Sequence, residues 1–175
     1  MSIARLHVLA VRPGTAAAYP EVTGARAIDI ARTIGTVIAL KKTEFFVHDG
    51  KVYLDFGLLD TSGDLNTIQL DRNARGVWTF ENGTRAWLTG WGFVDHIPEL
   101  GGATIAFKVN SKNFVTKEEK ATEVFRFVVP SAARAEFVAG AATDQQLIER
   151  SYVLYAPDPK ASLARIELDL SAGAR

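Results

Sequence analysis

Three histidines, His7, His48 and His96, are the side chains of this 175-residue chain whose ordinary pKa lies near neutrality. None has a second histidine at metal-ligand spacing. His48 runs into Asp49-Gly50 and His96 follows Asp95, so each reads as a turn or surface residue. Asp60-Thr61-Ser62-Gly63-Asp64-Leu65-Asn66, with Asp71 beyond it, sets oxygen side chains at the first, third, fifth and seventh positions of a calcium loop. The sixth position, which needs glycine, is Leu65, and the twelfth is Asp71 rather than a bidentate glutamate. The flanks read as strands, so a plain turn is expected there and no metal.

Other chemistries lack their parts. There is no cysteine, which removes thiolate nucleophiles, disulfides, iron–sulfur clusters and cysteine-type zinc. No Gly-x-Ser-x-Gly elbow, phosphate-cradling glycine loop or dinucleotide fingerprint occurs. Asp55 with Asp60, or Asp95 with Glu99, could do acid–base work if buried together. With 20 acidic residues in the chain, such pairs arise easily by chance. No cofactor is expected.

The feature that stands out is aromatic: Trp78, Phe80, Trp87, Trp91 and Phe93 fall within one short stretch. They can fill a core, line an apolar ligand pocket, or form a subunit interface. In the pocket reading Tyr53, Asp55 or His96 supplies the polar contact.

Those residues must be placed by secondary structure. Ile3 to Arg12 reads as a strand, and Thr23 to Ile34 as a short helix with a strand alternative. Val37-Ile38-Ala39-Leu40 also reads as a strand. Phe45-Phe46-Val47 and Val52 to Leu58 read as a hairpin about Asp49-Gly50. A two-residue loop sets Phe46 opposite Tyr53, but also Glu44 opposite Asp55, so a three-residue loop with a bulge at Gly50 is an alternative. Asp60 to Asp64 reads as a turn into a strand from Leu65 to Leu70, and Arg72 to Gly76 as another turn. Asn82-Gly83, the strongest two-residue hairpin signal, places Trp78 opposite Trp87 and Val77 opposite Leu88. It also makes Asn82-Gly83-Thr84 a turn rather than a glycosylation site. Ala103 to Val109 and Val124 to Val129 read as strands either side of a polar loop. Ser131 to Ala139 then reads as a helix closed by Gly140. Thr143-Asp144-Gln145-Gln146 is a capping box, and Tyr152 to Tyr155 and Ala164 to Leu170 are strands. Roughly nine strands and two or three short helices, joined by tight turns, imply one β-rich domain over residues 1–175. The expected fold is an antiparallel β-sandwich, jelly-roll-like, or a closed barrel.

Bulk properties narrow the partners. A composition of 47 % hydrophobic and 23 % charged residues is ordinary globular usage. Twenty basic and twenty acidic residues cancel, so there is no long-range pull toward nucleic acid or an anionic membrane. Met1-Ser2-Ile3-Ala4-Arg5-Leu6-His7 lacks the basic head and apolar stretch of a signal peptide, so synthesis in the cytoplasm is expected.

Two functions from different classes fit. One is a non-enzymatic subunit that self-associates into a larger symmetric particle, such as a viral or phage shell, tail or fibre. It rests on the missing catalytic constellation, the zero net charge and the number of strand edges that need covering. The other is a small barrel binding an apolar molecule, with cofactor-free cyclisation or isomerisation in its cavity. The direction of the Trp side chains discriminates them.

Overall fold

The structure is a computed structural model that describes residues 44–66, 70–98, 100–112, 115–116 and 119–173. The readings at Ile3–Arg12, Thr23–Ile34 and Val37–Leu40, and His7 with them, lie outside the described residues. Among the described residues one six-stranded sheet, curled into a half-barrel, carries helices on one face. Its strands are β1 (Glu44–His48), β2 (Lys51–Asn66), β3 (Gly102–Lys112), β4 (Glu119–Pro130), β5 (Tyr152–Ala156) and β6 (Ala164–Ile166), in that spatial order.

The β1–β2 hairpin closes through the two-residue loop. Asp49 and Gly50 both adopt positive φ, 50° and 71°, the type I′ geometry that matches strand twist. Phe46 faces Tyr53, and Glu44 does face Asp55. The two carboxylates are tolerated opposite each other because Asp55 pairs with Arg126 of another strand, so no three-residue loop is needed to separate them.

After the hairpin the chain departs from the expected antiparallel order. Asp60 to Asp64 does not turn the chain back. β2 continues to Asn66, absorbing irregularities between Asp55 and Leu58 and between Asp60 and Asp64, with Gly57 at φ 90° in the first. β2 then pairs in parallel with β3, whereas the other four pairings are antiparallel. A parallel pair cannot be closed by a tight turn and needs a long crossover, usually helical.

That crossover holds the largest correction. Arg72 to His96 is helical, in four consecutive segments: α1 (Arg72–Thr79), a π-helical stretch Phe80–Thr84, α2 (Arg85–Leu88) and a 3₁₀ stretch Thr89–His96. There is no hairpin at Asn82-Gly83 and no turn at Arg72–Gly76. Asp71 starts α1 by accepting a 2.7 Å hydrogen bond from the Ala74 N–H. Gly76, Val77, Phe80, Thr84, Leu88 and Trp91 are all buried, a stripe of helical period that local turn chemistry had masked. Gly83 serves proximity rather than positive φ: a Cβ there would meet the Phe107 ring at 2.7 Å, and one at Gly76 would meet Leu168 at 2.6 Å. The two glycines, seven residues apart, let this helical segment lie close against the sheet.

The C-terminal half follows expectation more closely. β3 and β4 pair over nearly their whole length. Pro130 ends β4 and α3 (Ser131–Val138) follows, with Gly140 at φ 75° after it. Thr143 and Gln146 form the reciprocal capping box of α4 (Asp144–Glu149). The last strand is shorter than the expected Ala164–Leu170, since pairing stops at Ile166.

Period-two alternation then divides the sheet. Phe45, Leu54, Ile105, Phe107, Phe125, Phe127 and Val153 share the core with Phe80, Leu88 and Trp91 of the crossover. Tyr53, Val128 and Leu154 form a second, smaller cluster on the other face, joined by Phe46 and Tyr152.

Candidate functional site

The aromatic residues singled out in the sequence do not form one strip. Phe80 and Trp91 are buried in the main core, where the Phe80 ring lies 6.0 Å from that of Phe127. Trp78 is half-buried on α1, nine residues before Trp87 on the same helical segment rather than opposite it. Trp87 is 36 % exposed. Phe56 of β2 joins buried Trp91 to exposed Trp87, stacking on the first at 5.0 Å and tilting against the second at 5.9 Å. Phe93 and His96 belong to the 3₁₀ stretch by backbone, and their side chains lie outside the described residues.

Tyr53 and Asp55, read as polar contacts for an aromatic pocket, instead point to the opposite face of the sheet. There Asp55 Oδ2 lies 2.8 Å from Arg126 Nη1, with the two side chains only 4 % and 3 % exposed. Asp55 Oδ1 also accepts a 2.8 Å bond from the Gly57 N–H, and Arg126 Nη1 donates to Thr104 Oγ1 at 3.3 Å. The guanidinium sits 4.6 Å from the centroid of Phe46. Both carboxylate oxygens of Asp55 are thus engaged within the protein. The pair is instead an electrostatic bolt from β2 across β3 to β4.

Beside it, His48 packs edge-on against Tyr152 at 4.4 Å between ring centroids. Burial lowers the His48 pKa below 6.5, against the raising effect of Asp49 and with a further lowering from Arg165. Burial also pushes Tyr53 up to about 12, with Tyr152 and Asp49 adding to the rise. His48 is therefore no simple surface turn residue.

A second polar network lies beneath α1. Arg75 grips Glu123 with Nε at 2.7 Å and Nη2 at 2.6 Å, and the Tyr155 hydroxyl donates to the same carboxylate at 2.8 Å. Burial, and then this hydrogen bond, raise the Tyr155 pKa. A third anchor is Arg134, which donates to the Leu88 carbonyl at 2.6 Å and to Asp95 at 2.5 Å, tying α3 to the end of the crossover.

Of the carboxylate pairs weighed in the sequence, Asp55 and Asp60 are not brought together. Asp60 is exposed and meets Lys108 at 3.6 Å, away from buried Asp55. Asp95 is engaged by Arg134, and Glu99 lies outside the described residues. Sequence reasoning also passed over Arg126, Glu123 and Arg75. Arg126 left a signal: it is a lone charge inside Val124-Phe125-Arg126-Phe127-Val128-Val129, where a buried cation demands a partner. The pairing of Glu123 with Arg75, 48 residues earlier in the chain, left none.

A cleft of about 420 Å³ opens elsewhere, between α4, the start of α1 and β5–β6. Ile148, Val153 and Leu168 contribute apolar surface, and Asn73, Glu149 and Glu167 contribute polar surface. Its lining includes none of the tryptophans. No protein-family model, no curated protein and no solved structure matches the chain.

Proposed function

We propose that the protein is a non-catalytic structural subunit that works by associating with further copies of itself. The observation that carries this reading is Trp87, 36 % exposed at the outer end of the Phe56–Trp91 stack. Of the three tryptophans that would line the cavity of an apolar-ligand barrel, Trp78, Trp87 and Trp91, Trp91 is buried in the core, Trp78 is half-buried and Trp87 is exposed. Among the described residues the large apolar side chains left exposed are Trp87 and, separately, Leu58, Val115 and Val138, at 41 %, 80 % and 46 %. Large exposed side chains of this kind suit a contact that removes them from water. A net charge of zero opposes association only weakly. The described residues form a half-barrel, and a neighbouring copy would supply the strands that a sandwich or closed barrel requires. A repeating unit of a shell, tail or fibre is the setting in which such a subunit would serve.

Light scattering on purified protein across a dilution series tests the reading. A discrete mass well above 19 kDa is expected, reduced by Trp87→Ser. A mass near 19 kDa at every concentration overturns it.

A further inference from the structure

Self-association needs a surface, and the sheet offers a specific one. Among the described residues β6 ends the strand order, with β5 on its one paired side. Ala164 and Arg165 are exposed, as is Glu167 immediately after the strand. An edge strand presents unpaired backbone N–H and C=O groups and is a template for another strand. Its side chains select which strand can come. In the extended chain of such a pairing, carried one residue past β6, Arg165 and Glu167 are two apart and project to the same face. The Arg165 guanidinium lies 5.0 Å from the Tyr152 ring centroid, which places it on the face of Tyr53 and His48. Glu167 makes no hydrogen bond or ion pair among the described residues.

A second copy of the same strand satisfies this pattern. In an antiparallel pairing of β6 with its own copy, a two-fold axis passes through one residue, which then faces itself. With the axis through Ile166, Arg165 of each copy faces Glu167 of the other, and Ala164 faces Leu168. The charge pair forms twice, once on each side of the axis. Placing the axis at Arg165 sets two guanidinium groups opposite each other, and placing it at Glu167 does the same with two carboxylates. Directly opposed like charges destabilise a ladder, so both alternative registers are disfavoured. We propose that two copies join along β6 in antiparallel register about Ile166, making one continuous sheet. The proposal rests on the self-association reading and assigns it an interface.

The test uses the full chain with Arg165→Glu, Glu167→Arg and the double exchange, followed by light scattering over a dilution series. Each single change opposes like charges twice and is expected to move the association midpoint at least about ten-fold higher in concentration, a shift of ~1.4 kcal/mol. The double exchange restores the pair in reverse and is expected to return the midpoint to that of the wild type. Ile166→Cys gives an independent readout, because the chain contains no cysteine. Residues directly opposed in an antiparallel ladder have Cα atoms ~4.5–5.5 Å apart. That spacing lies within disulfide reach, so a covalent dimer is expected on oxidation. An oligomer unaffected by either single exchange, with no cross-link in Ile166→Cys, overturns the β6 interface and leaves self-association standing. A wild-type mass of one chain throughout overturns both.

Discussion

Replacing Arg126 with methionine tests how the second face of the sheet is held together. The substitution keeps most of the side-chain volume and removes the charge. Asp55 then remains buried, its side chain 4 % exposed, without the guanidinium 2.8 Å away. At an effective dielectric of 20, the lost attraction between unit charges at that distance is roughly 6 kcal/mol. Desolvation of both ions offsets much of this in the intact pair, so the pair itself adds little net stability. Breaking it is a different matter, because the cost of burying Asp55 is still present and its compensation is gone. Such single losses cost about 3–5 kcal/mol, a large share of the ~5–15 kcal/mol that holds a domain folded. For a chain of this size, that corresponds to a fall in Tm of about 6–20 °C. Thermal unfolding followed by circular dichroism measures it, together with the double variant Asp55→Leu, Arg126→Met. The double variant removes both charges and is expected to melt much closer to the wild type. A single variant within about 1 kcal/mol of wild type, or a double variant no better than the single, refutes the reasoning.

Other perturbations probe separate parts of the fold. Gly102→Ala would place a Cβ 2.1 Å from the Val129 carbonyl oxygen at φ 151°, so loss of soluble folded protein is expected on expression. Thr143→Ala removes the side-chain acceptor of the α4 capping box and should cost about 1 kcal/mol, read from a urea unfolding curve. Tyr53 is held protonated up to about 12 in the folded chain, against 10.0 for its ordinary value. The folded state therefore retains the proton more strongly, and the associated stability is present below pH 10 and lost as pH rises from 10 toward 12. Tyr53→Phe should flatten that alkaline limb in stability measurements stepped across this range. An unchanged slope would remove Tyr53 as its cause.

Where local chemistry and tertiary demand agree, the structure was legible beforehand. Asp49-Gly50 takes positive φ at both positions, and so dictates a two-residue loop and the Phe46–Tyr53 register. Thr143 and Gln146 stand at the spacing where each caps the other, and helix α4 begins there. The alternating strands β3 and β4 and the helix from Ser131 to Val138 follow from period and punctuation in the same way.

The misreadings came where one residue type serves two purposes. Glycine at position 83 supports a turn when judged by its neighbour Asn82, and a close helix–sheet approach when judged by the Phe107 ring. Only the second partner, far along the chain, decides between them. The same holds for β2: Asp60 to Asp64 has turn chemistry, yet the parallel ladder with β3 keeps the strand running past it. The candidate site divided for a related reason. Which way a tryptophan points is set by what packs beneath the helix, so Trp91 entered the core while Trp87 stayed at its rim. By itself the sequence determined the β-rich composition, the absence of cysteine chemistry, the zero net charge and the locally encoded turns and caps. Parallel pairing, the helical crossover and the union of Asp55 with Arg126 were decided by tertiary structure, because each depends on contacts between segments far apart in the chain.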